Sequence, residues 1–239
     1  MIRNVSWAAL LVAVSYAIFQ FIARTQDPAQ AFTLRTPLDD AIPFVEWTVY
    51  LYSWVYTAMV YPCFVVRSQA LFGRVVKAYA AVLVGSLVFF WFFPVTSLGF
   101  RPADHTLDVT DFEQWAIRLT FWVDPPYNLF PSLHMSIACI AALAAWKARR
   151  LYGLLSVPMV LSIAVGITTM KQHFIADGVA AFVLAAVCYR LFLHGYDPAS
   201  EPREARIYGW RGLALYAAFH TAFYASIYVV YRVGVVPWA

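Results

Sequence analysis

His173 and Asp177 are four residues apart, so on a helix their side chains share one face and come within reach of each other. A carboxylate so placed holds one imidazole nitrogen protonated, leaves the other free as a nucleophile or base, and stabilises the cation that forms. His134 comes from another part of the chain and can approach the reacting group from a second side to donate a proton to a leaving oxygen. Arg101 and Lys171 supply fixed positive charge for an anion. Ser132 and the free backbone N–H groups where its helix starts, that of Leu133 among them, add donors for the same anion. Two histidines, one carboxylate, two cations and a helix N-terminus suit phosphoryl transfer better than acyl transfer. Each piece has a plainer use as well: Ser132 as a helix N-cap, Lys171 snorkelling to an interface, Arg101 against lipid headgroups.

The elements that must position these residues are membrane helices. Of the 239 residues 62% are hydrophobic, 18% aromatic and only 13% charged, which excludes an ordinary soluble domain. A spanning helix needs about 20 mostly apolar residues. Seven stretches qualify: 5–23, 44–66, 75–95, 132–147, 151–170, 174–194 and 212–236. The class expected is therefore all-α, a polytopic membrane helix bundle in a single domain over 1–239, with a core at about 75–195 and an extra C-terminal span at about 212–236. The first stretch follows Arg3 and is longer than the 7 to 15 apolar residues of a signal peptide, so it reads as a retained helix. Cys63, Cys139 and Cys188 all fall in apolar stretches and form no disulfide framework.

With the N-terminus inside, inner segments hold 11 basic residues and outer ones 6, which orients the chain N-terminus cytoplasmic. Gly99-Phe100-Arg101-Pro102, Pro131-Ser132-Leu133-His134 and Lys171 to Asp177 then all meet at the outer face. Ionisable residues at membrane depth are costly and mark sites, so this convergence is the main functional signal. The outer connection 96–131 also contains Thr110-Asp111-Phe112-Glu113, which has the form of a capping box opening a helix. Phe112, Trp115, Ala116, Leu119 and Trp122 recur at three- and four-residue steps and predict a helix lying in the interface plane. It is either a lid or a loop helix that closes the bundle, with the second favoured. The net charge of +4 includes no basic run dense enough for a nucleic-acid partner.

Asp124-Pro125-Pro126-Tyr127-Asn128-Leu129-Phe130-Pro131-Ser132-Leu133-His134 and Lys171-Gln172-His173-Phe174-Ile175-Ala176-Asp177 resemble two motifs of the type-2 phosphatidic acid phosphatase superfamily, and most closely its inositol phosphorylceramide synthase-like branch. The resemblance covers roughly residues 80–195. It implies a six-helix core, no metal and no cofactor, with His173 as nucleophile, Asp177 as its partner and His134 as general acid. Three departures stand out. Pro94 occupies the position of the family's first-motif lysine, Leu133 that of a glycine, and Ile167 that of an arginine, for which Lys171 stands in. Fewer cations at the phosphate favour the synthase-like branch, in which a phosphodiester headgroup is transferred.

The resemblance implies a phospholipid, sphingolipid or polyprenyl phosphate as substrate. The reading is an integral-membrane lipid phosphatase or phosphotransferase of a bacterial inner membrane, acting on the periplasmic side. Two other classes stay open. One is a zinc hydrolase ligated by His134, His173 and Asp177. The other is a transporter with a polar gate, against which stand the lack of a repeat and polar residues at span ends instead of the midplane.

Overall fold

Long apolar runs wind into helices here because lipid offers the backbone no other hydrogen-bond partners. The computed structural model describes the backbone over residues 2–238, and side chains over 13–238 together with Leu10; the side chain of Arg3, one of the 11 basic residues counted on the inner side, lies outside the described residues. Helix α1 covers Ile2–Thr25 and α2 is the short Pro37–Ala41. Then come α3 (Val49–Ser53), α4 (Val55–Ala58), α5 (Tyr61–Val65) and α6 (Gln69–Phe92). The outer connection carries α7 (Phe112–Val123), followed by α8 (Leu133–Ala148), α9 (Arg150–Thr169) and α10 (Ile175–Cys188), the last continued as a π-turn over Tyr189–Leu193. A short α11 (Arg203–Arg206) precedes α12 (Trp210–Arg232). Among the described residues there are no strands, only two isolated bridges. The fold is an all-α polytopic bundle.

Among the described residues, α6, α9, α10 with its continuation, and α12 are long and apolar enough to cross a membrane. Of the other three expected spans, 5–23 falls partly outside the residues whose side chains are described, and two differ from that description. The stretch 44–66 is not one helix: a 3₁₀ turn at Glu46–Thr48 leads into α3, α4 and α5, with interruptions at Trp54 and at Met59–Val60. Pro62, at the start of α5, has no N–H to give the Ala58 carbonyl, so the ladder from α4 does not continue through it. Helix α8 has 16 residues, about 24 Å at 1.5 Å per residue, short of the roughly 30 Å hydrocarbon core. It forms the buried centre of the bundle, with Met135, Ala138, Ile140, Ala141, Ala144 and Ala145 fully enclosed. Its alanines let α9 and α6 approach closely.

Glycine serves the same purpose at Gly166. A Cβ there would lie 2.4 Å from the Tyr52 backbone nitrogen, so only glycine lets α9 cross α3 at this distance.

The outer helix α7 starts one residue later than the capping box proposed. Thr110 donates its hydroxyl to Asp108, leaving Asp111 as the N-cap that accepts from the Gln114 N–H at 3.0 Å. Its buried stripe is Trp115, Ala116, Ile117, Thr120 and Phe121, while Trp122, expected on that face, is 47% exposed. The stripe is rotated because α7 is covered by the C-terminal segment: the Trp115 indole donates to the Val235 carbonyl and Tyr231 to that of Thr110. The helix closes one end of the bundle.

The two ends of the bundle are tied in different ways. At one, Arg74 reaches the Phe192 carbonyl, Lys147 those of His194 and Tyr196, and Arg206 that of Ala148. At the other, the Ser132 N–H donates to the Asp177 carbonyl and ties the starts of α8 and α10 together.

Candidate functional site

Both histidines stand at helix beginnings. Ser132 is the N-cap of α8 and its hydroxyl accepts from the Met135 N–H, which sets His134 in the first turn. Asp177 is in the first turn of α10, where its carboxylate accepts from the Phe174 N–H at 2.9 Å. His173 precedes that turn, in the polar break between α9 and α10. His173 is 4% exposed and Asp177 and Ser132 are fully buried, while the His134 side chain is 15% exposed.

The side chains form one chain of contacts. His173 Nδ1 faces Asp177 Oδ2 at 3.2 Å, and His173 Nε2 faces His134 Nδ1 at 3.1 Å. His134 Nε2 lies 3.1 Å from the Tyr52 hydroxyl and 3.5 Å from Asp124 Oδ2. Asp124 Oδ2 also accepts from the hydroxyls of Tyr52 at 2.8 Å and Tyr56 at 2.5 Å. Hydrogens on this chain are assigned from the network. An ionised Asp177 only accepts, so His173 Nδ1 carries the hydrogen and Nε2 a lone pair. His134 Nδ1, facing that lone pair, is then a donor. Tyr52 has one hydroxyl hydrogen, and the shorter, charged contact to Asp124 takes it. Its oxygen can therefore only accept from His134 Nε2. One hydrogen assignment that satisfies every contact has His134 donating from both nitrogens and His173 accepting at Nε2.

Burial pushes the His173 ring below the ordinary histidine range, against the opposing pull of Asp177. Burial alone would raise Asp124, but the neighbouring His134 and the two tyrosine hydroxyls outweigh it and hold the carboxyl below its usual range.

The expected anion ligands divide. Arg101, its side chain 9% exposed, lies over the Phe121 ring at 4.3 Å and donates to the Asp124 carbonyl at 3.1 Å and to Gln172 Oε1 at 3.2 Å. It thus reaches the site's border from the connection after α6, and burial lowers its pKa. Leu133 opens α8, its side chain against the small cluster of Phe19, Ile22 and Phe90. Lys171 turns elsewhere. With φ at +57°, its ammonium donates to the carbonyls of Asp39 and Ile42 and stands 4.5 Å from the Phe100 ring centroid. Asp39 in turn accepts from the Ile175 N–H at 2.8 Å, so the stretch around α2 braces the break between α9 and α10. The Lys171 ammonium is thus engaged by the stretch around α2.

Tyr52, Tyr56, Asp124, Gln172 and Asp39 were not singled out from the sequence. Asp124 did open the first carrying segment, but the tyrosines lie in an aromatic-rich stretch where nothing local marks them. Among the described residues, no group of three or more His, Cys, Asp or Glu side chains could hold a metal ion.

The family model described as the PAP2 superfamily matches residues 27–191, well over half of the chain. The chain belongs to the PAP2 superfamily. That makes it an integral membrane protein with phosphatase- or phosphotransferase-type activity on a lipid phosphate. The PAP2 match takes in every residue of the histidine chain, from Tyr52 to Asp177, and leaves α12 outside. No curated protein and no solved structure matches.

Proposed function

We propose that this PAP2 protein transfers a phosphoryl group from a lipid through His173. The observation that carries the reading is the approach of His173 Nε2 to His134 Nδ1 at 3.1 Å, with Asp177 on the other nitrogen of the His173 ring. A phosphate lodged between the rings must part them. Its phosphorus then meets the His173 lone pair on one side, and its leaving oxygen meets the His134 Nδ1–H on the other. The nitrogen–phosphorus bond forms as the phosphorus–oxygen bond breaks, and the leaving oxygen takes the His134 proton. Asp177 stabilises the positive His173 ring. In the return step the now neutral His134 accepts a proton from water or a hydroxyl acceptor, whose oxygen attacks the phosphorus and restores the His173 lone pair. Arg101 and the N–H groups opening α8, that of Leu133 included, hold the phosphate oxygens, and Ser132 fixes that turn.

A second reading, a phosphodiester headgroup transferase like inositol phosphorylceramide synthase, draws on the placement of Lys171. With its ammonium committed to the carbonyls of Asp39 and Ile42, one fewer cation is free at the site. A monoester at neutral pH carries nearly two negative charges and a diester only one. The unit proposed to act is the single domain 1–239, with α12 an added span.

Turnover of phosphatidic acid, a polyprenyl phosphate, and phosphatidylinositol with ceramide tests both readings, with free phosphate and new lipid species measured together. Free phosphate supports the first, and a new phosphodiester lipid without phosphate release supports the second. No product from any of them overturns both. The basic residues favour a periplasmic site in a bacterial inner membrane, N-terminus inside. Cysteines placed at Asp108 and Arg149 check this: an impermeant thiol reagent outside intact cells should label position 108 and spare 149, and the reverse pattern contradicts it.

A further inference from the structure

His173 has a carboxylate partner in its own helix turn, whereas His134 has none near it in sequence. The carboxylate that meets it comes from the end of α7: Asp124 is the C-cap of that helix, its N–H on the Thr120 carbonyl at 2.8 Å. We propose that Asp124 is the positioning residue of His134, its carboxylate holding the ring doubly protonated through Tyr52 and leaving the Nδ1–H aimed at the oxygen that departs. This rests on His134 being the proton donor, as proposed above.

Three features of the site carry the inference. Asp124 is 8% exposed, and a buried carboxylate is costly unless it is paired. Its ion pair is with His134 at 3.5 Å; the other groups on Oδ2 are the neutral hydroxyls of Tyr52 and Tyr56. The closest link is the Tyr52 oxygen, 2.8 Å from Asp124 and 3.1 Å from His134, so one phenol both feeds the carboxylate and receives the ring N–H. Tyr52 itself is seated by the close crossing at Gly166, and the Asp124 backbone carbonyl by Arg101. Two separate parts of the chain, each fixed by a further one, thus meet one edge of His134. A ring held this way on its Nε2 side can release only its Nδ1 hydrogen.

The test uses the full-length protein in detergent, with phosphatidic acid as an alkyl leaving group and p-nitrophenyl phosphate as one that departs without a proton. Asp124→Asn keeps an acceptor for the tyrosines and removes the charge. Its turnover of phosphatidic acid should fall on the order of 10²-fold while the aryl substrate changes little. Added to His134→Ala, it should cause no further loss, because both act through one proton. Equal losses on the two substrates, or a full additional loss in the double variant, overturn the proposal. If Asp124→Asn does not fold, Tyr52→Phe decides: it keeps the charge, cuts the link, and should show the same selective loss in smaller measure, while wild-type rates on both substrates overturn the link. His134→Ala alone separates the two layers. If its loss is not selective for the alkyl substrate, the proton-donor reading itself fails; if it is selective and Asp124→Asn is not, only the role of Asp124 fails.

Discussion

His134 Nδ1 lies 3.1 Å from His173 Nε2, although the two residues are 39 positions apart and open different helices. The Ser132 N–H on the Asp177 carbonyl brings those two helix starts together. A phosphate that bonds both rings must enter by separating them.

If His173 is the nucleophile, His173→Ala abolishes turnover of both alkyl and aryl phosphates. Asp177→Asn retains a hydrogen-bonding partner for the ring but not its charge, and should lose about 10²- to 10⁴-fold in kcat. Steady-state kinetics on purified variants, with thermal unfolding to verify the fold, check this. Wild-type rates in His173→Ala refute the assignment.

The acid side of the pH profile follows from burial. A buried ring favours its uncharged form, so His173 Nε2 keeps its lone pair below the ordinary histidine value of about 6.5. Activity should therefore decline only as pH drops below that value, with the limb belonging to the histidine pair jointly. Asp177 opposes the shift, so Asp177→Asn should move the limb to still lower pH as well as lowering the plateau. A limb moving to higher pH in that variant would contradict the charge balance described here.

Gly166 is predicted to matter for Tyr52 and, through it, for His134. A methyl group 2.4 Å from the Tyr52 nitrogen must push α3 away from α9. Gly166→Ala should cost about 1–3 kcal/mol in stability and lower activity on alkyl more than aryl phosphates. Thermal unfolding in detergent, with the two-substrate assay, reads both.

Lys171 should behave as a brace. Lys171→Met keeps the stem and loses the two carbonyl contacts, with a cost of about 2 kcal/mol in stability. Inhibition by inorganic phosphate should stay within a few-fold of wild type. An unchanged melting temperature with tenfold weaker phosphate inhibition would return Lys171 to the anion.

Periodicity and composition made the all-α bundle legible, because lipid forces long apolar runs into helices, and the spacing of His173 and Asp177 was legible because a helix turn brings such residues together. What escaped was tertiary. The break-up of 44–66 involves Pro62, whose missing N–H hydropathy does not register. Tyr52 and Tyr56 sit among similar aromatic residues, and only the crossing at Gly166 and the end of α7 turn them toward Asp124. Lys171 is diverted by carbonyls of a segment about 130 residues earlier, a contact no local pattern contains.

The most direct measurement is to trap the covalent intermediate. Protein mixed with radiolabelled lipid phosphate, quenched under alkaline denaturing conditions within one turnover, and digested for mass spectrometry should carry phosphate on the His173 imidazole. The label should be absent in His173→Ala and should accumulate when transfer to the acceptor is slowed. Full turnover with no phosphohistidine at any time point, or phosphate found on another residue, would contradict the account.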